Sequence, residues 1–594
     1  MKKREFEQQI TQYENLLESQ MKLFKLIGGV KLLHVGLIGV IVYLSFTNTA
    51  NQVALIICAV VASLLTGFWI FHGKLKAKIN YARGIILINQ HHLARISGSW
   101  SGFTDTGFEF INHDHPYASD LDIVGQKSIF QFLNTTNTWH GRQKFANDLL
   151  NTSYTDSEIN QRQTAIAELS KDIAFANHLQ YLFSKIGVSA GAKSIEGQLA
   201  NTTPFMKNRA LKSLILYAPL VGALFIVFAL LTRIPALYPF VITLISCQLV
   251  VWGLSIFKTS QYLADVTALA YNLGEYGEVV KQLQARDFQS AKLQEIKKEL
   301  VNSQHSAILG IKELDKIASR AKLKHNLIAW LIANMVGLWD LTTALQLETW
   351  KQKYAAHASS WFVSLGEFES LLAFSHLPNV CSTTCLPTVV AGKTLIAKEL
   401  GHPLIINDQR VNNDVTCGNN IFIISGSNMS GKTTFMRSVG VNLILAQAGS
   451  FVCATKLEFS QLKIMTSMRI ADNLSEGIST FYAELKRIKG IIELAKNEPQ
   501  MLFLIDEIFR GTNSVDRLIG AKTILNKLNE LAVVGMITTH DLELCELANA
   551  DLRIKNYSFF ERYTDNEIHF DYQMVAGVSK TTNAKYLMKM MDII

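Results

Sequence analysis

Two pairs of long uncharged stretches constrain this 594-residue chain more than any other feature of its sequence. Between residues 32 and 71 there is no Asp, Glu, Lys or Arg, and only the polar run 47–52 interrupts the apolar residues. A second pair, residues 213–232 and 234–257, is separated by Arg233. Each apolar run has about the 20 residues that a helix needs to cross a bilayer. The sequence therefore predicts four transmembrane helices in two hairpins, rather than two pairs of buried core helices.

Lysine and arginine residues flank both predicted hairpins, whereas the two turns contain only Arg233. Because short segments rich in Lys and Arg remain in the cytoplasm, we expect the N-terminus, the core and the C-terminal domain on the cytoplasmic side of the cell (inner) membrane. A charged fraction of 18% is low beside the roughly 25% of soluble proteins, which agrees with a multi-pass membrane protein. The flanking residues are Lys22, Lys25, Lys31, Lys74, Lys76, Lys78, Arg83, Lys207, Arg209, Lys212 and Lys258.

The remaining sequence divides into regions that differ in hydrophobic periodicity and composition, which predicts a multidomain α and α/β protein. Residues 1–97 contain an N-terminal helix and the first hairpin (about 32–71), residues 98–206 have helical periodicity, and residues 207–258 contain the second hairpin. Residues 259–375 are rich in charge and poor in Gly and Pro, which favours long helices, paired as in a lever. Residues 376–594 alternate short strands and helices and are predicted to be an α/β domain.

One further apolar stretch, residues 327–339, stops at Asp340. It is too short to cross a bilayer, which needs about 20 residues. We therefore expect it to form a buried helix of the soluble part.

A glycine-rich run in the C-terminal region fits the phosphate-loop pattern G-x-x-x-x-G-K-[ST], with an apolar strand before it and a helical run after it. The glycines let the backbone curl so that its N–H groups and the helix N-terminus face phosphate oxygens. Lys432 would neutralise the β- and γ-phosphates, and Thr433 would offer its hydroxyl to Mg²⁺. The predicted nucleotide-binding residues are Gly426, Ser427, Asn428, Met429, Ser430, Gly431, Lys432, Thr433 and Thr434.

Two later apolar strands end in residues suited to the chemistry of ATP hydrolysis. The strand 501–505 leads into Asp506 and Glu507, which we call the acidic pair. Asp506 would bind Mg²⁺, and Glu507 would polarise the attacking water. The strand 533–539 ends at His540, which could hydrogen-bond the γ-phosphate or the water. Glu507, His540 and Lys432 are the predicted catalytic residues.

These motifs resemble those of the MutS family of DNA mismatch-repair ATPases. The resemblance rests on SGSNMSGKTTFMRSVG (425–440), LAQAGSFVCA (445–454), Ser479-Thr480-Phe481, LIDEIFRGTNSVD (504–516) and GVSKTTNAKYL (577–587). A weaker likeness over residues 119–150 and 159–169 implies a MutS-like helical core and lever. The family implies an ABC-type P-loop ATPase domain at the C-terminus and a homodimer, in which Ser479 of one subunit approaches the γ-phosphate bound by the other.

Other features separate the chain from the repair members of that family. Those members begin with a mismatch-reading domain, whereas residues 1–97 here hold a mixed-charge helix and a predicted hairpin. The run Gly107-Phe108-Glu109-Phe110 lacks the spacing of the family's aromatic wedge. The net charge of +8 is mild, and no basic stripe with interleaved aromatic residues marks a nucleic-acid surface. DNA is therefore expected as a partner from the resemblance and not from the charge.

Two other functions could combine four spans with a nucleotide-binding domain. Against an ABC-type membrane transporter, the signature is Ser-Thr-Phe rather than LSGGQ, and His34 is the sole ionisable residue inside the predicted spans. The second alternative is an ATP-gated membrane scaffold that does not act on DNA and binds ATP without turnover. The joint presence of Lys432, the acidic pair and His540 argues against lost hydrolysis. The favoured hypothesis is a membrane-anchored, dimeric MutS-like ATPase that uses ATP and Mg²⁺ and acts on DNA.

Overall fold

A computed structural model describes residues 2–46, 52–151, 153–187, 209–469, 480–509, 514–564 and 567–579. The chain forms two compact units. The first unit comprises Met1–Leu133, Ile173–Tyr181 and Ser375–Ile594, and the second comprises Asn134–Asp172 and Leu182–Phe374. The segment 98–133 therefore belongs to the same unit as the C-terminal domain, although its sequence texture groups it with the helical region.

Helices make up most of the described chain, in keeping with its few prolines. In chain order they are α1 (Lys3–Phe46), α2 (Gln52–Ser97), α3 (Ile129–Leu133), α4 (Trp139–Leu150), α5 (Asp156–Lys171), α6 (Ile173–Ile186), α7 (Arg209–Thr232), α8 (Tyr238–Ala285), α9 (Ala291–Lys297), α10 (Ala307–Ala321), α11 (Leu327–Gly337), α12 (Trp339–Phe374), α13 (Leu377–Val380), α14 (Lys432–Gln447), α15 (Thr480–Asn497), α16 (Ser514–Glu530) and α17 (Leu547–Ala550). The region predicted to contain long helices holds α8, which runs on from the second hairpin, and α12.

The described part of the first unit contains two β-sheets. The strands are β1 (Thr388–Val389), β2 (Leu395–Leu400), β3 (Asn413–Cys417), β4 (Ile421–Ser425), β5 (Lys456–Phe459), β6 (Lys463–Ser467), β7 (Met501–Asp506), β8 (Val534–Thr539), β9 (Ile554–Thr564) and β10 (Glu567–Ala576). The smaller sheet has the order β1-β5-β2-β3 and the larger has the order β10-β9-β4-β8-β7-β6. In the larger sheet β4 is parallel to β8 and β9, and β7 is parallel to β6 and β8.

The central strands β4, β7 and β8 are buried along their whole length. Continuous apolar strands of this kind are typical of parallel sheets covered on both faces. Because β8 lies between β4 and β7, the carboxyl ends of these three strands lie side by side. Ligands of open α/β sheets bind at this edge, and the phosphate loop and the acidic pair both start there.

The N-terminal helix α1 packs along α2 within the first unit. Its start contacts the segment before β1, since the backbone N–H of Lys2 donates to the carbonyl of Asn379 at 3.0 Å. The ring of Phe6 stacks on His92, which contacts His376 at 4.6 Å between ring centroids. Burial, together with the positive charge of Arg95, lowers the pKa of His376 to about 3. The turn predicted between the first two spans lies outside the described residues.

In the described part of the second unit, two helical segments are long and apolar enough to cross a membrane: Lys212–Thr232 and Pro235–Phe257. They form the second predicted hairpin, in α7 and at the start of α8. Their large apolar side chains are mostly exposed, and Leu254 is 82% exposed. A third apolar segment is a bent pair, Leu327–Gly337 followed by a helix from Trp339, with an angle of 77° between them.

The prediction that residues 327–339 form a buried helix is wrong. Helix α11 buries Asn334 but exposes a row of large apolar side chains, namely Leu327, Ile328, Leu331, Ile332 and Val336. Apolar composition and length alone cannot distinguish a buried helix from one whose apolar side faces outward. The chain turns sharply after it at Leu338, whose φ of 42° is in the left-handed region.

The rest of the second unit has a closely packed core. The carboxylate of Glu369 accepts a 2.5 Å hydrogen bond from the hydroxyl of Thr138, the residue that caps the N-terminus of α4. Asp148 and Arg162 form a buried ion pair at 2.7 Å. A Cβ atom at Gly366 would lie 2.7 Å from the carbonyl carbon of His140, so α12 can approach α4 this closely only with glycine at that position.

Candidate nucleotide site

The phosphate loop joins β4 to α14 through two glycines with positive φ. Gly426 has φ of 148°, and a Cβ atom there would lie 2.8 Å from the carbonyl oxygen of Phe559. Gly431 has φ of 105° and directly precedes the first residue of α14, Lys432. Only glycine adopts these conformations without strain. The loop is therefore curled at the N-terminus of a 16-residue helix, where backbone N–H groups and the helix dipole favour an anion.

The side chain of Lys432 folds back over the loop. Its ammonium group donates to the carbonyl oxygens of Gly426 and Ser427, both at 2.7 Å, and the residue is only 5% exposed. The hydroxyl of Ser430 also donates to the carbonyl of Ser427, at 2.9 Å. The ammonium thus sits inside the curl of the loop, where it can reach the oxygens of a bound phosphate.

The acidic pair meets the loop at Thr433. The hydroxyl of Thr433 donates to Oδ1 of Asp506 at 3.0 Å, and the hydroxyl of Thr538 donates to the same oxygen at 2.6 Å. Asp506 is 8% exposed. A carboxylate and a hydroxyl so close together offer the hard oxygen ligands that Mg²⁺ prefers when substrate phosphates complete its shell. The residues present therefore fit Mg²⁺. The contact of Thr538 with Asp506 was not predicted. Thr538 lies in β8, and nothing in this mostly apolar strand distinguishes it as a site residue.

Glu507 and His540 lie together at the same edge. The Nε2 atom of His540 is 2.7 Å from Oε1 of Glu507 and 2.9 Å from Oδ1 of Asn428. The backbone N–H of Glu507 donates to the hydroxyl of Thr538 at 3.1 Å, and Glu507 has φ of 55°. These contacts hold the ends of β7 and β8 against the phosphate loop. The chain thereby brings a potential base, a histidine and an amide to one point.

An open cavity of about 1000 Å³ is lined by the phosphate loop from Ser427 to Thr434, by the acidic pair and by Tyr572 of β10. A second cavity of about 850 Å³ shares Gly431, Thr434 and Tyr572 with it and is otherwise more apolar. His402 also lines this second cavity, and burial lowers the pKa of His402 to about 3, so its ring is neutral. A polar cavity and an adjoining apolar one match the two parts of a nucleotide, its phosphates and its base.

Every predicted site residue except Ser479 is described, and all of these except Gly426 and His540 line the first cavity. Gly426 and His540 contact lining residues, Lys432 and Asn428 respectively. Met429, at the apex of the loop, has φ of 70° and its side chain is exposed. Ser427 forms a hydrogen bond with the carboxylate of Glu561 on β9, a partner that the sequence did not suggest. The predicted residue Ser479 lies outside the described residues.

The segment 115–122 supports the site through contacts that were not predicted from the sequence. The carboxylate of Asp122 pairs with Arg437 of the phosphate-loop helix α14 at 3.2 Å and with Arg469 at 2.5 Å. The carboxylate of Asp120 accepts hydrogen bonds from three groups at the end of β6. No local motif marks these residues, because their partners lie more than 300 positions away in the sequence.

Three features define a P-loop domain: the parallel strands at the centre of the sheet, a curled glycine loop between β4 and a helix, and an acidic pair at the end of β7, the second strand from β4. Residues 422–592 match the family model described as MutS domain V. Over this part of the chain the protein is therefore similar to MutS proteins.

Three curated proteins illustrate the similarity. The DNA mismatch repair protein MutS of Desulfatibacillum aliphaticivorans is 30% identical over 306 residues, which cover 49% of this chain and 32% of that protein. The protein of the same name from Desulfosudis oleivorans is 33% identical over 211 residues, 34% of this chain and 23% of that protein. The MutS protein homolog 4 of Mus musculus is 31% identical over 227 residues, 36% and 23% respectively. The chain thus spans a third or less of the length of these relatives.

Proposed function

We propose that this protein is a membrane-anchored, MutS-like ATPase in which ATP binding and hydrolysis change the conformation of a homodimer that acts on DNA. The observation that carries the proposal is the convergence of Lys432, Thr433 and the acidic pair on one cavity. The contact of 3.0 Å between Thr433 and Asp506 joins the loop to the strand end that a magnesium-bound triphosphate requires.

The residues of the site have distinct roles in hydrolysis. Lys432 exchanges its bonds to the loop carbonyls for oxygens of the β- and γ-phosphates. Thr433 and Asp506 would hold Mg²⁺, which neutralises charge on the phosphates and orients them. Glu507 accepts a proton from the attacking water while the water oxygen bonds to the γ-phosphorus and the bond from that phosphorus to the β–γ bridging oxygen breaks. His540 and Asn428 position the γ-phosphate and the water. The second cavity, beside Tyr572, accepts the base.

Membrane anchorage is supported by the second hairpin, whose two apolar helices expose their large side chains, and by the uncharged sequence of the first hairpin. The proposed orientation places both chain ends, the helical core and the C-terminal domain in the cytoplasm, since the segments that flank the spans are rich in Lys and Arg. All four predicted spans are part of this proposal. DNA as the substrate of the conformational change is supported by the names of the relatives, two of which are DNA mismatch repair proteins.

The proposed role of Glu507 is tested by Glu507→Gln in the detergent-solubilised full-length protein. The amide cannot accept the proton, so the rate of hydrolysis should fall by about 10²–10⁴-fold while ATP still binds. The matched control is Glu543→Gln, an exposed carboxylate beyond the same sheet edge, which should leave both properties unchanged. Lys432→Ala should instead abolish ATP binding. Hydrolysis at the normal rate by Glu507→Gln would show that another group activates the water, and binding without measurable turnover in the unmodified protein would favour a scaffold.

The dimer with Ser479 acting across the interface is tested by mixing two inactive variants. A Lys432→Ala subunit binds no ATP but supplies Ser479, and a Ser479→Ala subunit binds ATP but supplies no serine. Mixed dimers then contain one complete site, so activity should reappear on mixing. If each variant alone is inactive and the mixture remains inactive after subunit exchange, Ser479 does not act in trans.

DNA binding is tested by its salt dependence, with and without ATP. Neutralised phosphates release counterions, so the affinity of a DNA-binding surface falls steeply as salt rises. Binding that weakens with salt and changes with ATP supports DNA as the substrate. Binding that neither depends on salt nor stimulates hydrolysis removes DNA from the proposal.

A further inference from the structure

The exposed apolar face of helix α11 has an unusual composition for a helix outside a transmembrane span. Its outward side chains are all apolar, while its sole polar side chain, Asn334, points into the protein and is fully buried. A surface helix of a soluble domain has the opposite arrangement, with polar residues outward. The outward residues follow one side of the helix and include Leu327, Ile328, Leu331, Ile332 and Val336.

The inner side of α11 is built for close packing against the second hairpin. It includes the small residues Ala329 and Ala333, together with Trp330 and Asn334, and the helix packs against both α7 and α8. Small residues let helix backbones approach closely, as they do in membrane proteins. The apolar outer face of α11 is therefore continuous with the exposed apolar surface of the two candidate spans.

A contact between two tryptophans determines where along the second hairpin α11 packs. Trp252, near the end of the segment Pro235–Phe257, contacts Trp330 with 5.0 Å between ring centroids. Both indole N–H groups donate to the carboxylate of Asp340, at 3.1 Å from Trp252 and 3.0 Å from Trp330. The backbone N–H of Asp340 in turn donates to Asn334 at 2.9 Å. These bonds lock α11 beside the last turns of the span, at the end from which the chain returns to soluble sequence.

Tryptophan side chains concentrate at the boundary between membrane and water, because one edge is polar and the rest is apolar. Basic residues precede α11 in the chain. Arg320 covers the ring of Trp339 at 3.9 Å, and Lys322 and Lys324 directly precede α11. Such a cluster complements the anionic phosphates of cytoplasmic lipid headgroups. With 11 residues α11 is about 16 Å long, half the thickness of the hydrocarbon core, so it cannot span it.

We infer that α11 is a third membrane contact: an interfacial helix that lies in the cytoplasmic leaflet beside the second hairpin, with its apolar face among phospholipid acyl chains. This inference rests on the proposed membrane anchorage of that hairpin. The sharp bend at Leu338 then marks the point where the chain leaves the membrane surface and enters the long helix α12. Three adjacent helical segments of the second unit, the two spans and α11, would thereby contact the membrane.

The test is photo-crosslinking of the full-length protein in vesicles of phosphatidylcholine and phosphatidylglycerol. Benzoylphenylalanine replaces one residue at a time: Ile328 on α11, 74% exposed, Leu254 within the span, and Glu278 on the same helix as Leu254. Glu278 is roughly 36 Å further along that helix, at 1.5 Å per residue, and serves as the control in water. Lipid and protein adducts are quantified by mass spectrometry.

We expect lipid adducts at Ile328 within about threefold of those at Leu254, and only background at Glu278, because both apolar positions face acyl chains. Lipid adducts at Leu254 but not at Ile328 would overturn the inference while leaving the membrane anchorage intact. Adducts from Ile328 to a second copy of the chain, in place of lipid, would also overturn it and would identify the face as a protein interface. Lipid adducts at neither position would refute the anchorage of the hairpin and the inference together.

Discussion

The buried carboxylate of Asp120 supports the strand that leads toward the Ser479 signature. It is 4% exposed and accepts hydrogen bonds from the hydroxyl of Thr466 at 2.6 Å and from the backbone N–H groups of Met468 and Arg469 at 3.0 and 2.9 Å. The substitution Asp120→Ala would leave these three donors without their acceptor. Because they lie at the end of β6, the end of this strand should open locally.

The magnitude follows from the number of bonds. A hydrogen bond to a charged acceptor contributes about 1.5–3 kcal/mol, and water that enters the vacated space replaces part of it, so Asp120→Ala should cost about 3–6 kcal/mol locally. Asp120→Asn keeps one acceptor oxygen and should cost roughly half as much. The control is Asp114→Ala, an exposed carboxylate in the same segment, for which about 0.5 kcal/mol or less is expected.

Hydrogen exchange measures this effect at the affected N–H groups. In a peptide that covers Met468 and Arg469, exchange should become faster by roughly 100-fold or more in Asp120→Ala, which corresponds to about 3 kcal/mol of opening free energy. ATP hydrolysis should fall while ATP affinity stays close to normal, because the phosphate loop does not contact Asp120. Unchanged exchange in Asp120→Ala, or an equal change in Asp114→Ala, would refute the role assigned to this carboxylate.

Three further predictions concern single buried positions. The pKa of His376 is about 3 in the folded state, against 6.5 in the unfolded state, so folded protein binds the proton less readily. The free energy of unfolding should therefore decrease by roughly 2 kcal/mol between pH 8 and pH 5. In denaturation experiments, His376→Gln should not show this contribution to the pH dependence. Gly366→Ala should cost about 1–3 kcal/mol, because its Cβ would strike the backbone of His140, whereas Gly274→Ala, with open space around it, should not destabilise; thermal melts compare the two. Thr538→Val removes the hydroxyl that donates to Asp506 and accepts from the backbone N–H of Glu507. Steady-state assays should then show hydrolysis reduced by about tenfold or more, with near-normal ATP binding. The first prediction would be contradicted if His376→Gln had the same pH dependence of stability as the unmodified protein. The second would be contradicted by equal melting temperatures of Gly366→Ala and Gly274→Ala, and the third by an unchanged hydrolysis rate in Thr538→Val.

The nucleotide site could be predicted from sequence because its signals are local. A phosphate loop needs two glycines, a lysine and a hydroxyl within eight positions. The carboxyl end of a buried parallel strand is recognised where a charged residue follows a run of apolar ones, as at Asp506. The structure brings these segments together at the expected edge of the sheet. The partners of Asp120 and Asp122 could not be predicted, since a carboxylate in a loop has the same local pattern whether it meets water or a strand end more than 300 residues away.

Apolar segments show a different limit of prediction. Hydropathy and length identified residues 213–232 and 234–257 as spans, and the described helices α7 and α8 contain segments suited to that role. The same criteria assigned residues 327–339 to a buried core, whereas the outer face of α11 is exposed. Hydropathy reports how apolar a helix is and not which medium surrounds it. The sole local signal was Asn334, a polar residue within the apolar run. Asn334 faces the protein, and the apolar side chains of the helix face outward.

The central claim is that the phosphate loop and Asp506 bind one magnesium-bound triphosphate, and the most direct measurement is the ATP affinity of the full-length protein with and without Mg²⁺. We expect Mg²⁺ to tighten ATP binding by about tenfold or more, equivalent to about 1.4 kcal/mol, and this gain to disappear in Asp506→Asn although ATP alone still binds. If Asp506→Asn retained the full gain from Mg²⁺, the metal would be held elsewhere and the site described here would be contradicted.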